Sequence, residues 1–457
     1  MKNRFSIYDS EEMSTLKLIE EIGKKYYELE EVNPIAEVNE ARGGYNTLNE
    51  RLVNMSTETY ALSDKVNVLD SESLKAQSAS TVTFLNTFRD EDCIFIKTTN
   101  NKNILIDCGE PFSQSGILNN IGRLGITQLD YLFITHFHSD HAGNVGQIID
   151  IYKPKHIYYK KVNWAQLPPT EVDWGTEGYY HQMLNACRRN GLEATEVTGE
   201  LTIALSPQEN IKIFNPTFCN FNDYNSSSLM FLYNNCGVNC LFPGDVTTEV
   251  LENHIGKIPG LSLYKAAHHG GYDKNISARF IANTRPKITH ISGLGLPYSN
   301  ETGNISKYEC DGDVYVDGEY HRGGCGYVVT PSGVIPTANT SQVNYSESMF
   351  PYNNFWCICD SVGRLCSEGI VSHRGNLCYV NNWRYVTTPM WVSYNGYEYY
   401  IGNDGYLYTN RWKQSEDVNT PDRWYYLGAN GRMLRNETRY MEGKWITFDN
   451  NGIASTY

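Results

Sequence analysis

The stretch Thr135–Asn144, THFHSDHAGN, constrains the fold of this chain more than any other, because it places three histidines and an aspartate within six positions, directly after the apolar run YLFI. Such a run predicts a buried strand, and the side chains that follow it can converge only if the chain leaves the strand in a tight loop. Imidazole and carboxylate groups are ligands for Zn²⁺, iron and Mn²⁺. His136 with His138, and Asp140 with His141, form two sets, which predicts two metal ions rather than a solvated loop.

Three regions of different character are expected along the chain, in agreement with its length of 457 residues. Residues 1–78 carry an apolar stripe at three-four spacing, which predicts a helical arm, amphipathic or coiled-coil, that packs on copies of itself or on its own domain. Residues 79–340 alternate short apolar runs with helical stretches, which predicts an α/β domain of layered sheets covered by helices. Residues 341–457 repeat an aromatic strand, a glycine turn and a second strand, which predicts stacked β-hairpin repeats.

The net charge of −14 disfavours nonspecific binding to nucleic acid or to an anionic surface. No run of 18 apolar residues is present, so no membrane span is expected. The first twenty residues lack the apolar core of a secretory signal, so we expect synthesis in a cytosol and release, if any, by a route such as cell lysis.

Most of the twelve cysteines stand singly in apolar runs, where a reduced and buried thiol is expected. Four of them lie closer together but lack paired C-x2-C spacing, so burial is favoured and a structural zinc remains an alternative. They are Cys357, Cys359, Cys366 and Cys378.

The H-x-H-x-D-H signature resembles the metallo-β-lactamase fold family, whose fold is an αββα sandwich. Other family motifs follow in order: ILIDCG with Asp107, LFPGDV with Asp245, and KAAHHGG with His268 and His269. The resemblance implies that one metal is held by a histidine pair, that the other is held by three further residues, and that one carboxylate bridges them. The implied ligands are His136 and His138 for the first metal, Asp140, His141 and His269 for the second, and Asp245 as the bridge. His268 would face the substrate phosphate, although the order of the two adjacent histidines stays open.

One departure from the family pattern concerns Asn225, which stands in NDYNSSSLMF where many members carry a further ligand histidine. This pattern is similar to a subgroup that includes competence-type DNA-uptake proteins and teichoic-acid phosphorylcholine esterases of pneumococcal type. The esterases are the more similar, since they also carry choline-binding repeats after the hydrolase domain. The resemblance implies a phosphoric diester hydrolase with two divalent ions, Zn²⁺ first and Mn²⁺ or iron as alternatives. Its catalytic residues would be Asp140, Asp245 and His268.

Aromatic side chains indicate where a quaternary ammonium group could bind, because such cations are held by ring faces. Trp164 and Trp174, in an insertion after a predicted strand, are candidate substrate contacts together with His268 and Asn225, and loop packing is the alternative for the tryptophans. In the tail, carbohydrate binding and packing in the core of the hairpins are alternatives to choline binding. The candidate ligand aromatics there are Trp391, Trp412, Trp424 and Trp445.

The segment NEARGGYNTLNERLVNM resembles segments near the start of bacteriophage tail and fibre proteins. Together the three regions indicate a virion-associated enzyme that acts on decorated teichoic acid at the surface of a Gram-positive host during adsorption. The expected partners are that wall polymer, further copies of the chain in a dimer or trimer, and other virion proteins, with no membrane and no nucleic acid. A bacterial wall enzyme is the alternative setting. A nuclease or cyclic-nucleotide phosphodiesterase, and a non-enzymatic receptor-binding tail protein, are the alternative functions.

Overall fold

The structure is a computed structural model that describes residues 79–85, 90–270, 275–292, 301–316, 325–337, 340–352 and 354–455. The chain divides into two units, Met1–Ser78 and Ala79–Tyr457. The predicted helical arm, its pairing with other copies and its phage-tail-like segment lie outside the described residues.

Two eight-stranded sheets form the centre of the second unit. Their strands, in chain order, are β1 Ser80–Phe84, β2 Ile94–Lys97, β3 Asn103–Ile106, β4 Tyr131–Phe133, β5 His156–Tyr159, β6 Ala194–Glu196, β7 Leu201–Ala204, β8 Glu209–Phe214, β9 Met230–Asn235, β10 Val238–Phe242, β11 Leu263–Lys265, β12 Ile288–Ile291, β13 Asp313–Val316, β14 Cys325–Thr330, β15 Gly333–Pro336 and β16 Ser341–Gln342. The first sheet has the order β15-β14-β1-β2-β3-β4-β5-β6, and the second has the order β16-β13-β12-β11-β10-β9-β8-β7. Strands β3 to β6 are parallel in the first sheet, and strands β10 to β13 are parallel in the second.

Helices cover the outer faces of both sheets. They are α1 Gln114–Arg123, α2 Ser139–Ala142, α3 Val145–Tyr152, α4 Pro169–Asp173, α5 Thr176–Asn190, α6 Thr248–Asn253, α7 Ala278–Thr284 and α8 Glu301–Cys310. Four single 3₁₀ turns lie between them, at Pro111–Ser113, Trp164–Gln166, Tyr224–Ser227 and Ala267–Gly270. None of the helices in the described ranges is both long and apolar enough to cross a membrane.

Three apolar layers explain why these strands are hydrophobic at nearly every position. Successive strand residues point to opposite faces, so Ile104 and Ile106 of β3 pack between the two sheets, while Leu105 packs outward. The outward cluster continues into α1, α3 and α5, and the matching cluster on the second sheet includes residues of α6, α7 and α8. The described residues therefore form helix, sheet, sheet and helix layers, and the α/β prediction is confirmed for them.

The strand β16 pairs with β13, so the second sheet extends past residue 340, where the sequence predicts the end of the hydrolase domain. Phe350 and Cys357 are likewise buried in the cluster outside this sheet. Tyr352 stacks on Tyr308 of α8, with ring centroids 3.9 Å apart. The first hairpin after the sandwich is therefore part of its apolar core.

The tail consists of small antiparallel sheets, as the aromatic pattern predicts. Its strands are β17 Met349–Tyr352, β18 Phe355–Ile358, β19 Gly369–His373, β20 Asn376–Asn381, β21 Arg384–Tyr385, β22 Met390–Tyr394, β23 Tyr397–Ile401, β24 Arg411–Gln414, β25 Trp424–Leu427, β26 Glu437–Met441 and β27 Lys444–Phe448. The predicted turn glycines Gly405, Gly431 and Gly452 all have positive φ, between 76° and 80°.

Each repeat of the tail is tied to the one before it by a backbone hydrogen bond. Leu407 N donates to Leu377 O of β20 at 2.8 Å, and Ala454 N donates to Trp424 O of β25 at 2.9 Å. Between them, Met433 N donates to the backbone oxygen of Glu398 in β23 at 2.8 Å. The tail is therefore a linear stack in which neighbouring hairpins support one another.

The four neighbouring cysteines of the tail serve as packing. Three of them are buried and Cys366 is half-buried, and all are free thiols. Within the described part of the chain, no group of residues with metal-ligand spacing includes any of them.

Candidate metal centre

The loop after β4 gathers the predicted ligands at the carboxyl ends of the parallel strands. His138 is the N-cap of the short helix α2, which brings Asp140 and His141 back towards the strand end. Gly143 follows this helix where a Cβ atom would lie 2.3 Å from Ser139 O and 2.7 Å from Gly109 O, so only glycine fits. The sequence AGN after the histidines is thus explained by close backbone packing.

Asp107 orients His141 from the end of β3. Its carboxylate accepts hydrogen bonds from Thr135 N at 2.8 Å and Thr135 Oγ1 at 2.7 Å. His141 Nδ1 lies 2.8 Å from Asp107 Oδ2, so Nδ1 is protonated and Nε2 is the ring atom left to bind a metal. Asp107 therefore supports the site, as the family resemblance implies, by aiming His141 Nε2 at the space beside it.

The imidazoles of His136 and His138 face each other, with His136 Nε2 and His138 Nδ1 3.0 Å apart. His136 Nδ1 lies 3.1 Å from Thr135 Oγ1, and this hydroxyl already donates to Asp107. His136 Nδ1 must therefore be the donor, and Nε2 again has a free lone pair. The two predicted ligands of the first metal are brought together.

The predicted ligands of the second metal form one group whose ligand atoms lie within 4.8 Å of one another. Its members are Asp140, His141, Asp245 and His269. Asp245 Oδ2 lies 3.1 Å from His141 Nε2 and 3.6 Å from His269 Nε2. Asp140 Oδ2 lies 3.2 Å from His269 Nε2. Asp245 and His269, far from the loop in sequence, therefore reach it in space.

Orphaned buried atoms provide a test of whether a metal fits here. His141 Nε2 and both carboxylate oxygens of Asp245 are buried and have no hydrogen-bond partner among the described residues. Leaving such groups unpaired costs about 1–3 kcal/mol each, and more when they are charged. Divalent cations coordinated by these lone pairs would remove that cost, so the donor set fits the metal that this fold implies.

Charge in the site is unevenly distributed. Burial lowers the pKa of His136 well below its ordinary value, which leaves a neutral imidazole for a metal. Burial also disfavours the charged form of His141, but the carboxylates of Asp245, Asp140 and Asp107 outweigh it and raise the pKa of His141. Burial would raise the pKa of Asp245, but the surrounding histidines, His141 first, hold it well below its usual range. The second set is thus rich in negative charge that attracts a cation.

His268 and His269 occupy left-handed backbone conformations, with φ of 49° and 56°. Such conformations cost about 1–3 kcal/mol each in residues other than glycine and are concentrated at functional sites. The turn brings both side chains to Asp245: His269 belongs to the ligand group, with Nε2 3.6 Å from Asp245 Oδ2, and His268 Nε2 lies 3.5 Å from the same oxygen. His268 Nδ1 donates to Asn275 Oδ1 at 2.8 Å, because the Asn275 amide nitrogen already donates to two backbone carbonyls.

Sequence reasoning missed a buried charged group behind the ligands. Lys265 is fully buried; its Nζ contacts Asp92 and lies 3.5 Å from Asp245 Oδ1. Asp92 also accepts a hydrogen bond from Ser292, whose Oγ lies 3.2 Å from His269 Nδ1. The only available signal was a lysine inside the apolar strand LSLYKAAHHG, since Asp92 lies in the acidic run DED, which resembles a solvated turn.

A second missed residue is Glu171, which lies in α4 within the aromatic-rich insertion. Its carboxylate is buried and lies 3.0 Å from His138 Nε2. Burial would raise the pKa of Glu171, but the bonds from His138 and Thr176 lower it. No local pattern reveals this contact, because 33 positions separate the two residues.

The predicted substrate contacts divide into two groups. Trp174 is 63% exposed and its ring lies 5.6 Å from that of His138, so it borders the site. Trp164 instead packs on Phe137, with ring centroids 6.0 Å apart. This contact agrees with the alternative that Trp164 serves in loop packing. Asn225 follows Tyr224, whose ring lies 5.8 Å from His136, and its Oδ1 is buried without a hydrogen-bond partner among the described residues.

In the tail, two of the predicted tryptophans stand at equivalent positions. The ring centroid of Trp391 lies 5.3 Å from that of Tyr400 in its own hairpin and 5.2 Å from that of Tyr425 in the next hairpin. Trp412 contacts Tyr426 at 5.0 Å and, from the next hairpin, Phe448 at 6.0 Å. Each group therefore joins aromatic residues of two consecutive repeats.

The other two predicted tail tryptophans differ from this arrangement. Trp445 is 70% exposed and pairs with Tyr440 across the last hairpin, at 5.4 Å. Trp424 is half-buried and lies opposite Gln414 in its hairpin.

A cation of the chain itself occupies one of these aromatic faces. Lys413 Nζ lies 4.2 Å from the ring centroid of Tyr400 and 2.6 Å from Glu416 Oε1. The hydroxyl of Tyr400 also donates to Glu416, at 2.6 Å. This tyrosine face therefore binds a cation in the chain as it stands.

Residues 86–182 match the model of the metallo-β-lactamase superfamily. ComE operon protein 3 of Bacillus subtilis (strain 168) is 25% identical over 170 residues, which are 37% of this chain and 20% of that protein. The chain therefore corresponds to about a fifth of the length of this curated relative.

Two solved structures resemble different parts of the chain. The choline binding domain of Spr1274 from Streptococcus pneumoniae is 34% identical, with a TM-score of 0.13, over 15% of this chain and 97% of that domain. The short form of human tRNase Z, ELAC1, is 16% identical, with a TM-score of 0.29, over 46% of this chain and 91% of that enzyme. Within the sandwich, residues 86–182 thus match a superfamily whose members are often hydrolases and whose fold implies divalent metal ions.

Proposed function

We propose that this protein is a metal-dependent phosphodiesterase that acts on phosphorylcholine-decorated teichoic acid of a Gram-positive wall, as a phage tail protein used in host adsorption. The observation that carries the hydrolytic part is the convergence of two ligand sets, with His141 Nε2 and both oxygens of Asp245 buried and without a hydrogen-bond partner among the described residues. The wall-binding part is supported by the aromatic groups around Trp391 and Trp412. The virion setting is supported by the sequence of residues 1–78 alone.

Two divalent metal ions, when bound, would supply Lewis-acid polarisation of a phosphoryl oxygen and an activated water. His136 and His138 would hold one ion; Asp140, His141 and His269 would hold the other, with Asp245 between them. His268 would face the substrate through Nε2, because Nδ1 is committed to Asn275 and Nε2 lies beside Asp245. The neutral ring can take a proton at Nε2 and then return it to the leaving oxygen. Trp174, exposed beside His138, is placed to contact the quaternary ammonium group of a phosphorylcholine substrate.

The test combines metal analysis with turnover of p-nitrophenyl-phosphorylcholine. We expect about two metal ions per chain in the parent protein, and loss of both bound metal and turnover in Asp245→Ala, since this carboxylate contacts the second ligand set and is the implied bridge to the first. Asp422→Ala, at an exposed aspartate of the tail, is the matched control and should keep both.

Three outcomes would contradict the proposal. Equal turnover in Asp245→Ala and the parent would exclude the metal-dependent mechanism. Hydrolysis of polynucleotide but not of the phosphorylcholine ester would favour a nuclease. A purified protein with almost no metal and no activity after metal addition would favour a receptor-binding protein that keeps the fold as a scaffold.

A further inference from the structure

The insertion after β5 reaches the metal centre through a single buried carboxylate. Glu171 is only 6% exposed, and its Oε2 accepts hydrogen bonds from His138 Nε2 at 3.0 Å and from Thr176 Oγ1 at 2.8 Å. It stands in α4, three residues before Trp174, whose ring contacts the same histidine. One short segment thus presents both a carboxylate and an aromatic ring to His138.

These contacts determine which nitrogen of His138 is available to a metal. An ionised carboxylate can only accept hydrogen bonds, so His138 Nε2 carries the ring proton. The lone pair is then on Nδ1, the atom that faces His136 Nε2 at 3.0 Å. His136 is oriented in the same way by Thr135, so two lone pairs converge on one point. Carboxylates that hold a ligand histidine in this manner raise its basicity and restrict its rotation.

We propose that Glu171 is a positioning residue for the first metal, and that it couples the order of residues 161–176 to occupation of the His136–His138 site. The inference rests on the proposed function only in that it assumes metals at this centre. Because Glu171 contacts one ligand set and not the other, its effect is specific to one of the two ions. The coupling is reciprocal: a metal that fixes His138 also fixes the segment that carries Trp174.

The experiment is a competition titration of the full-length protein with a coloured zinc chelator, for the parent, Glu171→Gln and Glu177→Gln. Glu177 is a suitable control because it lies in the next helix, is about half exposed and forms a surface ion pair with His181. We expect Glu171→Gln to weaken binding of one Zn²⁺ by about 10–100-fold and to leave the other unchanged. Glu177→Gln should match the parent for both ions.

A second readout separates positioning from simple support of the fold. In the parent, Zn²⁺ should slow chymotryptic cleavage after Trp174, and Glu171→Gln should lose most of this protection at the lowest Zn²⁺ concentration that saturates both sites of the parent. The melting temperature of the metal-free protein should be the same in both.

Two results would overturn the inference. One is equal affinity of the parent and Glu171→Gln for both ions. The other is equal weakening of both ions together with a lower melting temperature of the metal-free variant, which would make Glu171 a structural residue. Neither result depends on phosphorylcholine turnover, so failure of the proposed substrate and failure of this inference are distinguishable.

Discussion

Lys160, at the end of β5, is a buried ammonium group outside the metal centre. It is 5% exposed, and its Nζ donates to the backbone oxygens of Asn215, at 2.9 Å, and of Phe218. It borders a cavity of about 260 Å³ whose lining also includes Cys219 and Glu196. Burial lowers the pKa of Lys160 from 10.5 to about 8. These hydrogen bonds connect the loop after β8 to the end of β5 in the first sheet, and burial of the ammonium charge opposes them through the cost of its desolvation.

This shifted pKa predicts a pH dependence of stability. Between pH 8 and 10.5 the folded chain releases the Lys160 proton and the unfolded chain keeps it, so the unfolded state binds more protons and stability rises with pH. From pH 7 to pH 10, the parent should gain about 2 kcal/mol in unfolding free energy relative to Lys160→Met. Urea unfolding at several pH values measures the difference.

The comparison uses a difference in slope, because Lys160→Met also leaves two carbonyl groups without their donor and so lowers stability at every pH. Lys161→Met, at the exposed neighbouring lysine, should follow the pH dependence of the parent. Parallel curves for the parent and Lys160→Met would show that this ammonium titrates at its ordinary pKa.

At the scale of elements, the tail shows how cation binding depends on the stacking of hairpins. Tyr400 of one hairpin and Lys413 of the next are 4.2 Å apart from ring centroid to Nζ. Glu416 holds both through its carboxylate. Burial disfavours the charge on Lys413, but the bonds from Glu416 and Tyr400 outweigh it and raise its pKa. An incoming choline would have to compete with a lysine that is already in place.

Removal of that lysine should therefore strengthen choline binding. For Lys413→Gln we expect roughly twofold to fivefold tighter binding of choline to the full-length protein, corresponding to about 0.5–1 kcal/mol for an exposed cation–π contact. Isothermal titration calorimetry measures the affinity. Lys444→Gln, on the exposed last hairpin, is the control and should bind as the parent does. Weaker binding in Lys413→Gln would mean that the lysine supports the site instead of occupying it.

The repeats also show what the sequence could reveal about the elements and what it could not. Aromatic strands around Gly405, Gly431 and Gly452 made three turns visible. The structure contains a fourth equivalent turn at Gly363, with the same backbone bond from Asp360 N to Arg364 O, at 2.9 Å. It lies in FWCICDSVGRL, where Trp356 precedes the glycine by seven residues, the spacing that also separates a tryptophan from Gly431 and from Gly452, so the sequence carried the signal of this repeat. The sequence did not reveal the side-chain support of the turn, in which the Asp360 carboxylate accepts hydrogen bonds from Val362 N and Arg364 N, both at 2.9 Å.

At the scale of the whole molecule, the sequence revealed the ligands of the metal centre but not the residues that support them. Ligands could be predicted where several stand together at a strand end, as in THFHSDHAGN, or at a motif position such as Asp245. Their supports could not, because contacts like that between Ser292 and Asp92 join residues 200 positions apart. Closure of the sandwich creates these pairs, and no local pattern records them.

Since both sheets contribute to the centre, metal removal should loosen the whole sandwich. Asp140 and His141 follow β4 of the first sheet, and Asp245 and His269 follow β10 and β11 of the second. A cation at a thousand times its dissociation constant stabilises the folded state by about 4 kcal/mol, which corresponds to about 10 °C in melting temperature for a domain of this size. Calorimetry with and without a chelator measures this shift.

Asp245→Ala provides the comparison for that experiment, because its melting temperature should respond little to the chelator. A parent protein whose melting temperature is the same with Zn²⁺ and with chelator would contradict a metal shared by the two sheets.

The bond from each turn of the tail to the preceding hairpin has a consequence for how such a chain can change. Because a repeat touches only its neighbours, a unit of 20 to 30 residues can be gained or lost without disturbing the hydrolase or the remaining hairpins. Under the proposed function, each added unit would bring one more weak cation site, and linked weak sites multiply their effect when the target is itself a repeating polymer. Copy number would then set how long the protein stays on a wall polymer, independently of the rate of hydrolysis.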